Sequence, residues 1–269
     1  MNRAILHLLF YPSIAAGAIG AAVPEAYAQQ NKREEIEHHI AMGDSLSARL
    51  QPQGALLHYE MALALDETFY PALWKAAGAW IDIAKQIPDD QSRLRDSLYL
   101  VARDYAEKAI RADSTGADGY FMLAQALGRL ARTRSGKERV RFGRMVYDAA
   151  ARALALNPDH DGAHHVLGAW HAEAKRLSGF TRLFAQLFLG ADFLSRASWD
   201  SASFHLERAV ALRPDYIFHR LELAQIYLDQ GRREEARAQL ERILQLPVGD
   251  VLDPQHKAEA ERLLRRIAR

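Results

Sequence analysis

The sequence predicts an all-α protein, a solenoid of stacked helical hairpins closed by a C-terminal capping helix. Three observations predict it. A two-helix pattern stands out near the end of the chain, from Ile217 to Leu246. The same order of small and large residues recurs upstream in register, giving about five units between residues 36 and 250. The composition favours helix throughout, being rich in Ala, Leu, Arg, Glu and Gln with almost no strand signal.

The first 28 residues read as an address. Arg3 is followed by an apolar run from Ala4 to Val23, then by small Ala26 and Ala28 around Tyr27 and by polar Gln29. This is the charged, apolar and A-x-A order of a cleaved secretory signal of bacterial type. It predicts an exported chain, periplasmic or extracellular, that starts at Gln29. Residues 29–253 then hold the repeat array and residues 254–269 the cap.

The units fall near 36–70, 71–116, 117–160, 161–216 and 217–250. In the last, Leu223, Ala224 and Tyr227 share a helical face, Gly231 breaks the helix, and Ala236, Leu240 and Ile243 face inward from a second helix. Upstream, Met42, Gly43 and Leu46 precede Ala55, Tyr59 and Ala62. Trp74, Ala77 and Gly78 precede Ala102, Ala106 and Ala109. Tyr120, Leu123 and Ala124 precede Val146, Ala150 and Ala153, and Leu167, Gly168 and His171 precede Ala202, Leu206 and Ala209. Gly or Ala at the crossing lets two helix backbones approach, and one hairpin cannot bury its own apolar face, so hairpins must stack. This unit resembles the tetratricopeptide repeat (TPR). Extra residues near 87–97, 133–142 and 175–198 must lengthen helices or form projecting loops. The last segment, His256 to Arg269, sets Arg262, Arg265 and Arg266 among Ala260, Leu263 and Ile267, as expected of a cap with a polar outer face.

Asn157 to Leu246 carries more than a generic repeat. An LGAWHAE helix with His164, Leu167, Gly168 and Trp170 precedes a long apolar insertion and a resumed repeat. This stretch resembles the regulator of microtubule dynamics protein family. The resemblance implies a TPR-like fold, a protein-binding role and, through the family's name, an association with microtubules.

Several function classes are excluded or disfavoured. The absence of cysteine removes disulfides, thiolate metal sites, cysteine nucleophiles and lipid anchoring on cysteine. A net charge of +1 gives no global pull toward nucleic acid, and no nucleic-acid partner is expected. The phosphate-loop, G-x-G-x-x-G and G-x-S-x-G motifs are missing, so neither an enzyme nor a cofactor is expected.

The predicted function is protein or peptide binding by a non-catalytic scaffold of the cell envelope. The first helix of each hairpin lines the concave face of a TPR superhelix. Position matching points Lys75, Asp82, Phe121, Gln125, His165, Phe218, Gln225 and Leu228 into that groove. Ile40 and Asp44 stand where carboxylate-clamp TPRs carry a cation and an amide, so an extended or helical peptide held by apolar pockets is the expected ligand.

Two other readings compete. His160, His164, His165 and His171 cluster at one helix start, and the i, i+4 pair His160 and His164 has metal-ligand spacing; this would suit a metal-binding or hydrolytic protein. H-E-x-x-H is absent, and packing histidines are the simpler account. Phe180, Leu183, Phe184, Leu187 and Phe188 form an amphipathic stripe within Phe180–Leu194, which would suit a partner or a membrane surface. Its polar face lacks a dense basic stripe, so packing across the repeats is again simpler. Arg129 to Arg144 is strongly basic, with Glu138 as the single acid, and reads as a solvated loop and helix face.

Overall fold

A computed structural model of the chain describes residues 19–268; the side chains of residues 19–26 and of Asp89, Phe180, Leu183, Phe184 and Phe188 are also outside the described residues. Most of the predicted signal segment, residues 1–18, therefore lies outside the description.

Among the described residues every regular element is helical. The α-helices are α1 (Ile19–Ala48), α2 (Pro52–Leu65), α3 (Tyr70–Lys85), α4 (Ser92–Ala112), α5 (Ala117–Ala131) and α6 (Gly136–Leu156). They continue with α7 (Asp161–Arg176), α8 (Gly179–Leu189), α9 (Trp199–Leu212), α10 (Ile217–Asp229), α11 (Arg233–Gln245) and α12 (Asp253–Ile267). Antiparallel hairpins form from α1 and α2, α3 and α4, α5 and α6, α7 and α9, and α10 and α11. Each packs on the next, and α12 covers the end against α11 and α10.

The extra residues in the middle hairpins are used in two ways. Helices α4 and α6 are each lengthened to 21 residues. The third insertion makes a separate helix, α8, capped at its start by the Ser178 hydroxyl, which accepts from the Thr181 amide at 3.1 Å. It ends at Gly190, whose φ of +67° suits a residue without Cβ.

The crossings depend on small residues. Gly168 on α7 meets Leu206 and the Ala202 carbonyl of α9 so closely that a Cβ would overlap them. Gly43 on α1 lies in the same way against the ring of Tyr59 on α2. Ala55, Ala62, Ala102, Ala106, Ala109, Ala150, Ala153, Ala202, Ala209 and Ala236 are fully buried on the second helices. The exits of three of those helices are stereotyped. Asp66, Asp113 and Asn157 accept from the amide two residues on, at 3.0, 2.8 and 3.1 Å, turning the chain into the next hairpin. Hydrogen bonds from Thr68 and Thr115 hold the Asp66 and Asp113 carboxyls below the usual range.

The largest buried cluster joins α3, α4, α5 and α6 to Trp170 and Ala174 of α7, Ala185 of α8, and Phe193 and Leu194 of the turn after it. A second cluster joins α9, α10, α11 and α12. Burying side chains such as Leu127, Leu206 and Leu240 stabilises the stack by about 1.5–3 kcal/mol each.

Candidate functional site

The stacked hairpins curl until distant parts of the array meet. Lys85, at the end of α3, donates to Asp82 Oδ1 at 2.8 Å and to Asp250 Oδ2 at 2.9 Å. Asp250 lies in the turn between α11 and α12, so this bond closes the superhelix across 165 positions of sequence. Tyr216 donates to the same Asp250 oxygen at 3.0 Å, and the Leu252 amide donates to Oδ1 at 3.0 Å.

Lys85 is 5% exposed. Burial alone would release its proton, but the nearby carboxylates hold the ammonium charged, with its pKa above the usual lysine value. The two acids respond differently. Burial raises Asp82, whose carboxylate accepts from Lys85 alone among the described residues. Burial also pushes on Asp250, but Lys85, the Leu252 amide and Tyr216 together bring it below the usual range.

The curved array lines a cavity of about 1130 Å³ that is open to solvent. Its walls come from α3, α5, α7 and α10, with the start of α6, the inner side of α8 and residues 249–251 at the rim. Of the eight residues the sequence assigns to the groove, Asp82, Phe121, Gln125, His165, Phe218 and Gln225 line it. The other two are elsewhere. Lys75 makes an ion pair with Asp44 of α1 at 2.6 Å, and Leu228 packs against the second buried cluster.

Phe121 and Phe218 supply part of the apolar surface, together with Val166, Trp170, Phe193 and Leu194. Phe121 rests on His160 at 4.6 Å between ring centroids, and Phe218 lies between His165 at 4.6 Å and a stacked His256 at 4.7 Å. Gln125 and Gln225 have no hydrogen-bond partner among the described residues, so both amides are free to bind something in the cavity.

The histidines divide into two sets because His164 and His165, adjacent on α7, point about 100° apart. His165 turns inward. His219 Nε2 lies 3.0 Å from Asp161 Oδ2 and must donate to it. Its Nδ1 then accepts from His165 Nδ1 at 3.0 Å. The chain Asp161–His219–His165 therefore leaves His165 Nε2 as an acceptor without a protein partner at the cavity wall. Burial keeps His165 well below the usual histidine value, with His219 and Arg129 adding to the effect. Burial pushes Asp161 up, but the His219 hydrogen bond, Arg213 and the Gly162 amide bring it down to about 2.

His164 turns toward α9. Its Nε2 donates to the Pro158 carbonyl at 2.9 Å, and its Nδ1 accepts from His205 Nδ1 at 2.9 Å. His205 stacks on His171 at 5.9 Å, and burial with His164 and His171 lowers its pKa to about 4. His160 caps α7 by accepting from the Ala163 amide at 3.2 Å. The His160 and His164 pair is thus committed to capping and packing. Among the described residues, no group of three or more His, Asp or Glu side chains is arranged to hold a metal ion.

In α8, Leu187 is 67% exposed and Ala185 is buried against α6 and the following turn. The stripe residues Phe180, Leu183, Phe184 and Phe188 have side chains outside the described residues. Among the described residues no helix is long and apolar enough to cross a membrane.

Sequence reasoning missed Lys85, Asp250, Tyr216, His219, Arg129 and Glu222. Lys85 and Asp250 carry no local signal, since only the curvature of the whole array joins them. Arg129 and Glu222 could have been found by extending the groove positions one turn along α5 and α10.

Residues 40–268 match the regulator of microtubule dynamics protein 1-3 family. The chain belongs to that family. It is 27% identical to regulator of microtubule dynamics protein 3 of Bos taurus over 176 residues, covering 65% of this chain and 36% of the relative. It is 22% identical to regulator of microtubule dynamics protein 1 of Caenorhabditis elegans, covering 72% of this chain and 84% of the relative. The chain thus spans well under half of the first of these relatives. Among solved structures, a thermophilic TPR protein of Thermus thermophilus superposes with a TM-score of 0.59 at 23% identity, over 84% of this chain and 98% of that one. Pseudomonas aeruginosa pilF superposes with a TM-score of 0.53 at 15% identity, over 88% and 93%. The fold of this family member is therefore TPR-like.

Proposed function

We propose that the chain is a non-catalytic adaptor that holds an extended or helical peptide segment of another protein in its concave groove. The observation that carries this reading is the wall of the cavity. It offers two aromatic faces, Phe121 and Phe218, beside three polar groups without protein partners, Gln125, Gln225 and His165 Nε2. Aromatic faces bury apolar side chains, while free amides and an imidazole acceptor satisfy a peptide backbone that would otherwise lose its hydrogen bonds on leaving water. His165 is buried, and among the described residues no serine hydroxyl hydrogen-bonds to its ring, which favours recognition over hydrolysis.

The chain acts outside the cytoplasm in this proposal, on the strength of the Arg3, Ala4–Val23 and Ala26–Ala28 pattern. Microtubules belong to the relatives' name, and for this chain they stay an implication of the family. The test is affinity capture from an extract of the protein's own cell envelope with wild type and Phe121→Ala/Phe218→Ala. Specific proteins retained by wild type and lost by a variant of unchanged helicity support the groove as the site. Equal capture by both sinks it.

A further inference from the structure

The cavity wall has a charge surplus that the fold does not use. The arginines of the basic stretch 129–144 divide into two groups. Arg134 pairs with Asp96 at 2.7 Å, Arg141 reaches Glu138 at 4.0 Å, and Arg144 donates to the Gly190 carbonyl at 3.0 Å. These arginines brace α4, α6 and the end of α8. Arg129, Arg132 and Arg139 line the cavity and have no carboxylate partner among the described residues. Arg129 lies over the ring of Phe218 at 5.9 Å, which places a cation beside the apolar surface of the groove.

Nearly all the acids of the cavity are engaged. Asp82 and Asp250 hold Lys85, Asp161 holds His219, and Glu173 holds Arg176 at 2.7 Å. Glu222 alone among the lining acids has no ion pair among the described residues, and burial pushes its carboxyl toward the neutral form. Three guanidinium groups without a carboxylate partner among the described residues, half-buried Arg129 and exposed Arg132 and Arg139, therefore line a cavity with one weakened carboxylate.

We propose that the groove selects acidic peptides. Carboxylate side chains pair with Arg129, Arg132 and Arg139, and a neighbouring aromatic or aliphatic side chain packs on Phe121 and Phe218. The proposal rests on the peptide-groove reading and adds the ligand's charge. Arg129 and Arg132 lie three apart on α5 and its C-terminal cap, so their side chains are near neighbours and can share one acidic segment. Guanidinium groups suit this role because they bind carboxylates through two parallel hydrogen bonds.

The experiment is a selection from a random displayed peptide library on the full chain. Wild type is compared with Arg129→Gln/Arg132→Gln/Arg139→Gln, with circular dichroism to confirm equal helicity. Wild type is expected to enrich Asp and Glu over Lys and Arg, next to an apolar residue. The triple variant is expected to lose that enrichment and to bind a selected peptide at least about tenfold more weakly, the loss expected for hydrogen bonds to charged groups. Binding of that peptide to wild type should also fall as salt rises, a readout that needs no variant.

Selected peptides without acidic enrichment, or with basic enrichment, overturn the acidic preference and leave the peptide groove standing. A library from which wild type selects nothing overturns both. A labelled oligouridine run in parallel separates the other anion source: its retention without acidic peptides would assign these arginines to phosphate and overturn the proposal.

Discussion

Replacing Lys85 by methionine removes the cation that joins α3 to the turn before α12 while keeping a side chain of similar length. In wild type this ammonium is 5% exposed and bonded to two carboxylates, Asp82 at 2.8 Å and Asp250 at 2.9 Å. Removing one partner of a buried ion pair costs about 3–5 kcal/mol, because the remaining charge is left uncompensated. Two features bring the expected loss to the lower end, about 3 kcal/mol. Asp82 is a third exposed to the cavity and already holds its proton more readily than usual. Asp250 keeps its bonds from Tyr216 and the Leu252 amide. For a chain of this length that corresponds to about 6–12 °C in Tm. Denaturant unfolding gives the energy, and amide hydrogen exchange gives the place. Exchange should quicken at residues 249–252 and in α12 while α1 and α2 stay unchanged, since repeats interact mainly with their neighbours. Adding Asp250→Asn to Lys85→Met should recover part of the loss, because the stranded charge is gone. A loss below about 0.5 kcal/mol, or faster exchange spread evenly over the chain, would show that the array closes by packing alone and would refute the latch.

Four further outcomes are expected. Gly168→Ala should destabilise the α7 and α9 crossing by about 1–2 kcal/mol, overpacking against Leu206 and the Ala202 carbonyl outweighing the gain in helix propensity. Gly143→Ala in α6, where a Cβ meets nothing, should stabilise by about 0.5–1 kcal/mol, and equal signs for the two would refute the crossing argument. Unfolding free energy should fall as pH drops from about 6.5 to about 4, because burial depresses His164, His165, His171, His205 and His219 and the unfolded chain takes up their protons first. Asp82 and Glu222, pushed up by burial, act in the opposite sense; Asp161 adds its own loss only as pH falls toward about 2, and denaturant curves flat between about pH 7 and 4.5 would contradict the histidine assignment. His219→Phe should weaken binding of a library-selected peptide while leaving helicity intact, because His165 then loses the partner that orients its Nε2 toward the cavity; unchanged affinity would remove His165 from the site.

The sequence is legible wherever structure depends on spacing along one helix or between two neighbours. Gly43, Gly168 and the alanines of the second helices mark crossings because a larger residue there has nowhere to go. Phe121, Gln125, Phe218 and Gln225 could be assigned to the cavity because a repeat carries its groove positions at fixed places in the first helix. The same rule misplaces Lys75 and Leu228 for a physical reason. Position fixes which way a side chain leaves the helix, but not whether a neighbour such as Asp44 captures it. The histidines show the limit from the other side. Their cluster in sequence suggests joint chemistry, yet consecutive residues on a helix diverge, so His164 bonds across to α9 and His165 to His219 on α10. What spacing cannot give is curvature, which accumulates from small rotations at every stacking interface and decides whether the groove lies open or closes. The Lys85 and Asp250 contact is the product of that sum. Curvature also brings Arg129, Arg132 and Arg139, the last two still exposed to solvent, to the same cavity as Phe218. If the groove binds peptide as proposed, affinity depends on residues far outside it, since any change in stacking angle moves three guanidinium groups relative to the aromatic wall.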